Sequence, residues 1–224
     1  MPLLILAALV WILLHLGLAG TTARDAAVQR IGERGFRGVF ALLSILALIF
    51  LARAFNAAPT SVLWVAPDWL RWLLVLAMLP AFVLFVGSVS RPNPTMIGPV
   101  GGDQPPRGVT RVTRHPMLWS FAIWAVVHIL GNGDTAAIVF FGTFLVTALA
   151  GMPSIDAKLA RRDPNTWQAM SAVTSVVPFV AIVQGRNLFV PKEIGWRTPA
   201  IGAAAWIVLL LVHPWLFGVS PAEP

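Results

Sequence analysis

The chain has no cysteine and no tyrosine in its 224 residues, and only 11% of it is charged. Without cysteine there is no disulfide framework and no thiolate metal site, and the usual clue to redox compartment is missing. A soluble domain of this size carries about 25% charged residues. The shortage excludes a disordered tail, a nucleic-acid-binding arm and an ordinary cytosolic enzyme. What is present is apolar: 58% of residues are hydrophobic and the mean hydropathy is +0.80. The net charge of +7, in so apolar a chain, points to membrane orientation before nucleic acid. Ten tryptophans suit helix ends at the headgroup level. The composition predicts an all-α, polytopic membrane bundle forming one domain over 1–224, with the lipid bilayer as its first partner.

An α-helix needs about 20 mostly apolar residues to cross the hydrocarbon core. Six runs qualify as spans: 3–20, 38–54, 70–90, 114–131, 135–152 and 199–218. The fourth and fifth are joined only by Gly131-Asn132-Gly133-Asp134. Glycine supplies a helix stop and Asp134 an N-cap, which predicts a tight helical hairpin. The run 172–183 is too short to span and contains Pro178, so it is expected to be re-entrant or interfacial. An amphipathic helix is expected near 154–170. The Pro- and Gly-rich run 91–109 reads as an irregular loop able to cover a cytoplasmic pocket.

The cations test this topology. Loop 21–37 holds four of them, loop 91–115 four and loop 153–198 six, together fourteen of the sixteen. Arg53 and Arg71 alone fall on the opposite face. Positive-inside bias then puts both termini outside and the three long loops in the cytoplasm. No basic segment precedes the first apolar run, and four arginines follow it. That is the reverse of a secretory signal, so cleavage is not expected.

Ionisable groups within spans are functional candidates by default, because burying them in lipid is costly. All four histidines qualify: His15, His115, His128 and His213. Three have a tryptophan four residues away: Trp11 for His15, Trp119 for His115 and Trp124 for His128. That spacing places each pair on one helix face, and imidazole packed on indole is the bland reading. Imidazole without thiolate or clustered carboxylate suits haem iron, copper or zinc. At 1.5 Å per residue, His115 and His128 lie about 20 Å apart along one helix. With both ends outside, His15 falls in the inner half, whereas His128 and His213 fall in the outer half. Depth therefore pairs His128 with His213, or His15 with His115.

The start of the fourth span, Thr113-Arg114-His115-Pro116-Met117-Leu118-Trp119, sets a cation and an imidazole beside a proline suited to a first helical turn. Free N–H groups there can receive an anion. Arg114 and His115 are accordingly candidate cofactor-binding residues, and a capped, positive-inside helix start is the alternative.

Four blocks carry a family resemblance. They are His15-Leu16-Gly17-Leu18-Ala19-Gly20 with Arg24-Asp25; Ile31-Gly32-Glu33-Arg34-Gly35-Phe36-Arg37; Thr113 to Trp119 with His128 and the Gly131-to-Asp134 turn; and Thr174-Ser175-Val176-Val177-Pro178-Phe179 with Gly185-Arg186. Together they resemble the NnrU family over nearly the full length. The resemblance implies an integral protein of the bacterial inner membrane, associated with denitrification, the reduction of nitrite and nitric oxide. The blocks also look like those of zeta-carotene isomerase, a haem b membrane enzyme whose proposed iron ligands fall on His15 and His128. Its cysteine three residues before the second ligand is Ala125 here.

A more distant similarity is to isoprenylcysteine-type membrane methyltransferases, which use the region of Arg114 and His115 for S-adenosylmethionine. Their paired glutamates correspond to Ser154-Ile155-Asp156. The resemblance thus implies a haem b protein held by His15 and His128. The alternatives are an isomerase of a carotenoid or other hydrophobic polyene, a methyltransferase, or an assembly protein for respiratory-complex subunits.

Overall fold

The computed structural model describes residues 1–90 and 105–221, and is helical with no strand among them. Helix α1 (Pro2–Ile12) runs into a π-helical turn, Leu13–Leu18. Five long helices follow at intervals: α2 (Ala23–Asn56), α3 (Asp68–Val89), α5 (Pro116–Asn132), α6 (Thr135–Arg162) and α10 (Arg197–Phe217). Short helices lie between them: α4 (Val109–Val112), α7 (Pro164–Val173), α8 (Val180–Val183) and α9 (Pro191–Ile194). Apolar helices occur at all six expected positions. Four of them, α2, α3, α6 and α10, are long and apolar enough to cross a membrane, and Pro2–Leu18 and Pro116–Asn132 are shorter.

Neighbouring helices pack in the order α2, α1, α6, α5, α3, α10. Their interior is built from small side chains: Ala7, Ala8, Ala54 and Ala136 around Leu4 and Leu51, and Ala125 and Ala137 against Phe141. Small residues let helix backbones approach closely where lipid offers no hydrophobic drive to association. The large apolar side chains face outward, as with Leu42, Ile45, Leu46 and Ile49 of α2. That distribution suits a hydrocarbon solvent and is costly in water.

The hairpin between α5 and α6 forms as expected. Gly133 ends α5 in the left-handed conformation (φ 66°), and the Asp134 carboxylate accepts from the Ala137 N–H at 2.9 Å. The Gly133 carbonyl accepts from Leu63 and Trp64 N–H at 2.8 and 3.1 Å. Thr60 Oγ1 donates to Asp134 at 2.6 Å. These bonds fasten the α2–α3 connection to the hairpin at one end of the bundle.

Two expectations need correction. Residues 21–37 are not a loop: α2 begins at Ala23 and continues through a break at Gly32 (φ 73°, ψ 164°). Ala, Gln, Arg and Glu around that glycine are good helix formers, and Arg24 and Arg37 both bind the Glu33 carboxylate, at 2.6 and 2.9 Å. Residues 154–170 are not one helix. Pro164 has no N–H and forces Asp163 out of helical geometry (φ −145°), so α6 stops there and Asp163 caps α7 through Thr166 N–H. Most of the expected 91–109 loop lies outside the described residues; residues 105–108 are irregular, as expected, and only Val109 belongs to α4.

The connections after α1, before α5 and after α6 meet at the other end of the bundle. There Arg162 donates to Asp25, Lys158 Nζ to the Ala19 carbonyl (2.9 Å) and Ser154 Oγ to the Gly20 carbonyl (3.2 Å). The basic loops therefore share one end, and the hairpin with its Thr60 and Trp64 contacts marks the opposite one.

Candidate functional site

At the basic end, the residues before α5 turn their polar groups inward. Thr113 Oγ1 donates to the Val176 carbonyl at 2.7 Å, Trp119 Nε1 to the same oxygen at 2.8 Å, and Arg114 N–H to the Ser175 carbonyl at 3.1 Å. Phe179 N–H donates to the Val112 carbonyl at 2.8 Å. These bonds strap the 174–179 segment over the helix start, so the third and fourth sequence blocks form one structural unit. Phe179 sits at φ 67°, a conformation that costs a bulky residue about 1–3 kcal/mol and persists only where surroundings impose it.

The unit holds a buried charge cluster. Arg114 meets Asp156 of α6 in a side-on pair, Nε to Oδ2 at 3.0 Å and Nη2 to Oδ2 at 2.7 Å. His115 Nε2 lies 2.8 Å from the other oxygen, Oδ1. With Asp156 ionised, Nε2 carries the proton and Nδ1 is left as the acceptor. That Nδ1 is buried and has no partner among the described residues. Arg114 also lies over the Trp167 ring, 5.2 Å from its centre. The Arg114 and His115 side chains expected to receive an anion thus receive the Asp156 carboxylate of their own chain. Asp156 was legible only as one carboxylate in the Ser154-Ile155-Asp156 stretch. Its role depends on a contact 42 residues away in sequence, which local spacing does not encode.

Beside this cluster, Arg111 clamps Glu193 of α9, Nε to Oε2 at 2.7 Å and Nη2 to Oε1 at 2.9 Å. Arg111 Nη1 also donates to Asn187 Oδ1 at 2.6 Å. The hydrogen bond from Arg111 holds the Glu193 carboxyl down at about 2, and the same contact raises the Arg111 guanidinium. A groove of about 330 Å³ opens here, lined by Arg111, Arg186, Asn187 and Leu188 among others.

The other three histidines lie in the apolar part of the bundle and share one arrangement. His15 Nδ1 donates to the Trp11 carbonyl (3.0 Å), His128 Nδ1 to the Trp124 carbonyl (2.8 Å) and His213 Nδ1 to the Val219 carbonyl (2.8 Å). Each bond fixes the proton on Nδ1 and leaves the Nε2 lone pair unused, the orientation that metal-bound imidazoles adopt. Two of the three expected i, i+4 pairs form: His15 stacks on Trp11 with ring centres 4.0 Å apart, and His128 lies 5.1 Å from Trp124. His115 caps α5 outside helical geometry, and Trp119 turns to the Val176 carbonyl instead. His15 stands in the π-helical turn, a distortion that recurs at functional sites.

The two histidines paired by resemblance are not in contact with one another. Trp11, Phe144 and Trp124 run between them, with ring centres 5.1 and 5.3 Å apart in succession. His128 instead lies near His213, with ring centres 6.4 Å apart, one of the two pairings that depth arithmetic allows. Among the described residues no three His, Asp or Glu side chains cluster as a metal site. The donor set fits a group that brings its own equatorial ligands, as a haem does. Trp11 Nε1, buried without a partner, is a spare donor beside His15.

Fold and site together define an α-helical membrane protein with a charged, strapped end and an imidazole–indole layer in its apolar part. The chain belongs to the NnrU family, whose model, described as NnrU protein, matches residues 3–221. Among curated relatives, a chloroplastic 15-cis-zeta-carotene isomerase of Arabidopsis thaliana is 28% identical over 95% of this chain and 59% of its own length. The isomerase of the same name from Zea mays is 26% identical over 85% of this chain and 52% of its own. The chain therefore spans little more than half the length of these relatives. No solved structure matches.

Proposed function

We propose that this NnrU-family protein binds haem b within the bundle and isomerises double bonds of a carotenoid or similar hydrophobic polyene. One observation carries the reading: the imidazoles of His15, His128 and His213 all hold Nδ1–H on a carbonyl and keep Nε2 free, in aromatic and apolar surroundings. The relatives named as 15-cis-zeta-carotene isomerases supply the substrate class. His128 would hold the group, with a second imidazole from His15, as the resemblance implies, or from His213. When bound, haem supplies an iron centre able to polarise, or exchange an electron with, a conjugated π-system. The chain itself contributes orientation and dryness. Trp11, Trp124, Phe141 and Phe144 form an aromatic wall without a charged side chain, against which a flat polyene packs and from which water is excluded. Arg114, His115 and Asp156 close the basic end with a charge-paired polar cluster.

The proposed setting is the bacterial inner membrane with both chain ends outside. Nitrite and nitric oxide metabolism, alongside respiratory-complex subunits, is the physiological role the family resemblance implies. The test is production in haem-replete bacteria that accumulate 15-cis-zeta-carotene. The expected result is a Soret band in the detergent-purified protein, together with depletion of the 15-cis isomer. Both effects should be lost in His128→Ala. Haem-free protein with unchanged carotenoid would overturn the proposal.

A further inference from the structure

We propose that the cations gathered where α6 ends beside the start of α2 hold the headgroup phosphate of one anionic phospholipid, whose acyl chains lie along the outer face of α6. The inference needs only a membrane setting and is independent of any haem or polyene. Lys158 is the centre of the site. Its Nζ donates to the Ala19 carbonyl at 2.9 Å, an oxygen left over where the π-helical turn ends. The ammonium is half-buried, beyond the apolar span 135–152. Burial, with the charges of Arg24, Arg162 and Arg161 nearby and Asp25 opposing them, holds it below the usual lysine range. The carboxylates at this end are already engaged. Asp25 accepts from Arg162 and lies 3.7 Å from Arg24, and Glu33 binds Arg24 and Arg37 at 2.6 and 2.9 Å. Asp156 is taken by Arg114 and His115, and Asp163 by the Thr166 N–H. Neither Lys158 nor the exposed Arg161 forms an ion pair among the described residues. Positive-inside bias accounts for cations in a loop. It does not account for a half-buried ammonium crowded by like charges, which disfavour its charged form. An external anion removes that penalty and accepts the charge-assisted hydrogen bonds that lysine and arginine still have to give.

The face of α6 that leads to this cluster is apolar and open. Val146, Leu149, Pro153, Ala157 and Arg161 recur at steps of three and four residues, and all five are exposed. That spacing sets them on one side of the helix. From Val146 to Ala157 the stripe runs about 16 Å at 1.5 Å per residue, the depth of one leaflet in a hydrocarbon core about 30 Å thick. It ends on Arg161, with Lys158 and Arg162 beside it, four residues apart on the adjoining face. An apolar track one leaflet long that finishes in unpaired cations repeats the order of parts in a phospholipid. A zwitterionic headgroup brings its own cation and cannot offset the excess, so the fitting lipid is anionic. An acidic protein, a nucleic acid or a free phosphate would use the charges and leave the stripe bare.

The full chain is purified in a mild detergent, and phosphatidylglycerol and phosphatidylcholine are titrated in. Binding is read by native mass spectrometry and by the shift in melting temperature. Phosphatidylglycerol should bind one molecule per chain and raise the melting temperature, and phosphatidylcholine should do neither. A cation facing an anionic headgroup is worth about fivefold in affinity, so Lys158→Gln combined with Arg161→Gln should weaken phosphatidylglycerol about 25-fold. Lys192→Gln combined with Arg197→Gln removes the same charge from another connection at this end and should bind as wild type does. If the half-buried Lys158→Gln unfolds the chain, Arg161→Glu at an exposed position replaces it and should abolish the preference for the anionic lipid. Inorganic phosphate at millimolar concentration should not displace the lipid. Unchanged binding in the Lys158 and Arg161 variants would overturn the site. Equal weakening in the Lys192 and Arg197 pair would reduce it to general surface charge, and displacement by phosphate would make the occupant a free anion; either result overturns the proposal.

Discussion

Asp156 is one carboxylate shared between a guanidinium and an imidazole where little water reaches. The Arg114 and Asp156 side chains are 12% and 11% exposed and that of His115 is 1%. Removing one partner of a buried pair leaves an uncompensated charge and costs about 3–5 kcal/mol. Asp156→Ala should therefore lower the melting temperature sharply in detergent. Replacing both partners, Arg114→Met with Asp156→Leu, should restore much of the loss, because no charge is stranded. A double variant as unstable as the single one would show that something other than the charge holds this end together. The Arg111–Glu193 pair titrates in the accessible range. Glu193 ionises near 2 when folded because Arg111 hydrogen-bonds its carboxylate, against about 4.3 in an unfolded chain. A depressed carboxyl stabilises the fold above the unfolded value and ceases to do so as pH falls through the folded one. Stability should thus decline between about pH 4.3 and 2 in wild type, and Glu193→Gln should flatten that part of the melting-temperature profile. Neither pairing was readable in the sequence. Arg114 is legible as charge at a helix start, but its carboxylate comes from α6 and that of Arg111 from α9, beyond any local spacing rule.

Elements whose signals are local were legible, and those whose signals are ambiguous were not. Gly133 and Asp134 mark a helix stop and a cap within two residues, so the α5–α6 hairpin could be read directly. Gly133 has a further role: a Cβ built there would clash with the Trp64 carbonyl oxygen. Gly133→Ala should consequently destabilise by more than the about 1 kcal/mol expected for loss of an N-cap in Asp134→Ala. It combines a left-handed backbone with a displaced α2–α3 connection. Comparative thermal unfolding of the two variants checks the order. Gly32, by contrast, sat among glycines and arginines that looked like a loop, yet the chain resumes its helix beyond it. Its backbone lies in a region open essentially to glycine alone. Gly32→Ala should straighten α2 and draw Asp25 away from Arg162. Spin labels at residues 26 and 157, both exposed, should then report a longer distance than in wild type. An unchanged distance would mean the bend is imposed by packing and not by the glycine.

The whole molecule has two unlike ends, and its scarcity of charge is what makes them visible. The basic connections converge where Arg114, His115 and Asp156 lie, while Thr60, Trp64 and Asp134 gather at the other end. Positive-inside bias predicts the cytoplasm for the first end, because Lys and Arg resist translocation and Asp and Glu contribute little. The charge asymmetry was legible because it needs only a count per loop; the convergence of those loops on one polar cluster required the fold. In the proposed orientation His128 and His213 stand toward the outer end and His15 toward the basic one. A chain without cysteine is a ready background for testing this, since a single introduced thiol is the only one to react. Thiols placed at Arg30 and Asn165 should be protected from an impermeant maleimide in intact cells and react once the membrane is opened. Thiols at Ala57 and Ser220 should react in intact cells. Labelling of all four from outside, or of Arg30 and Ala57 from the same side, would break the six-segment alternation.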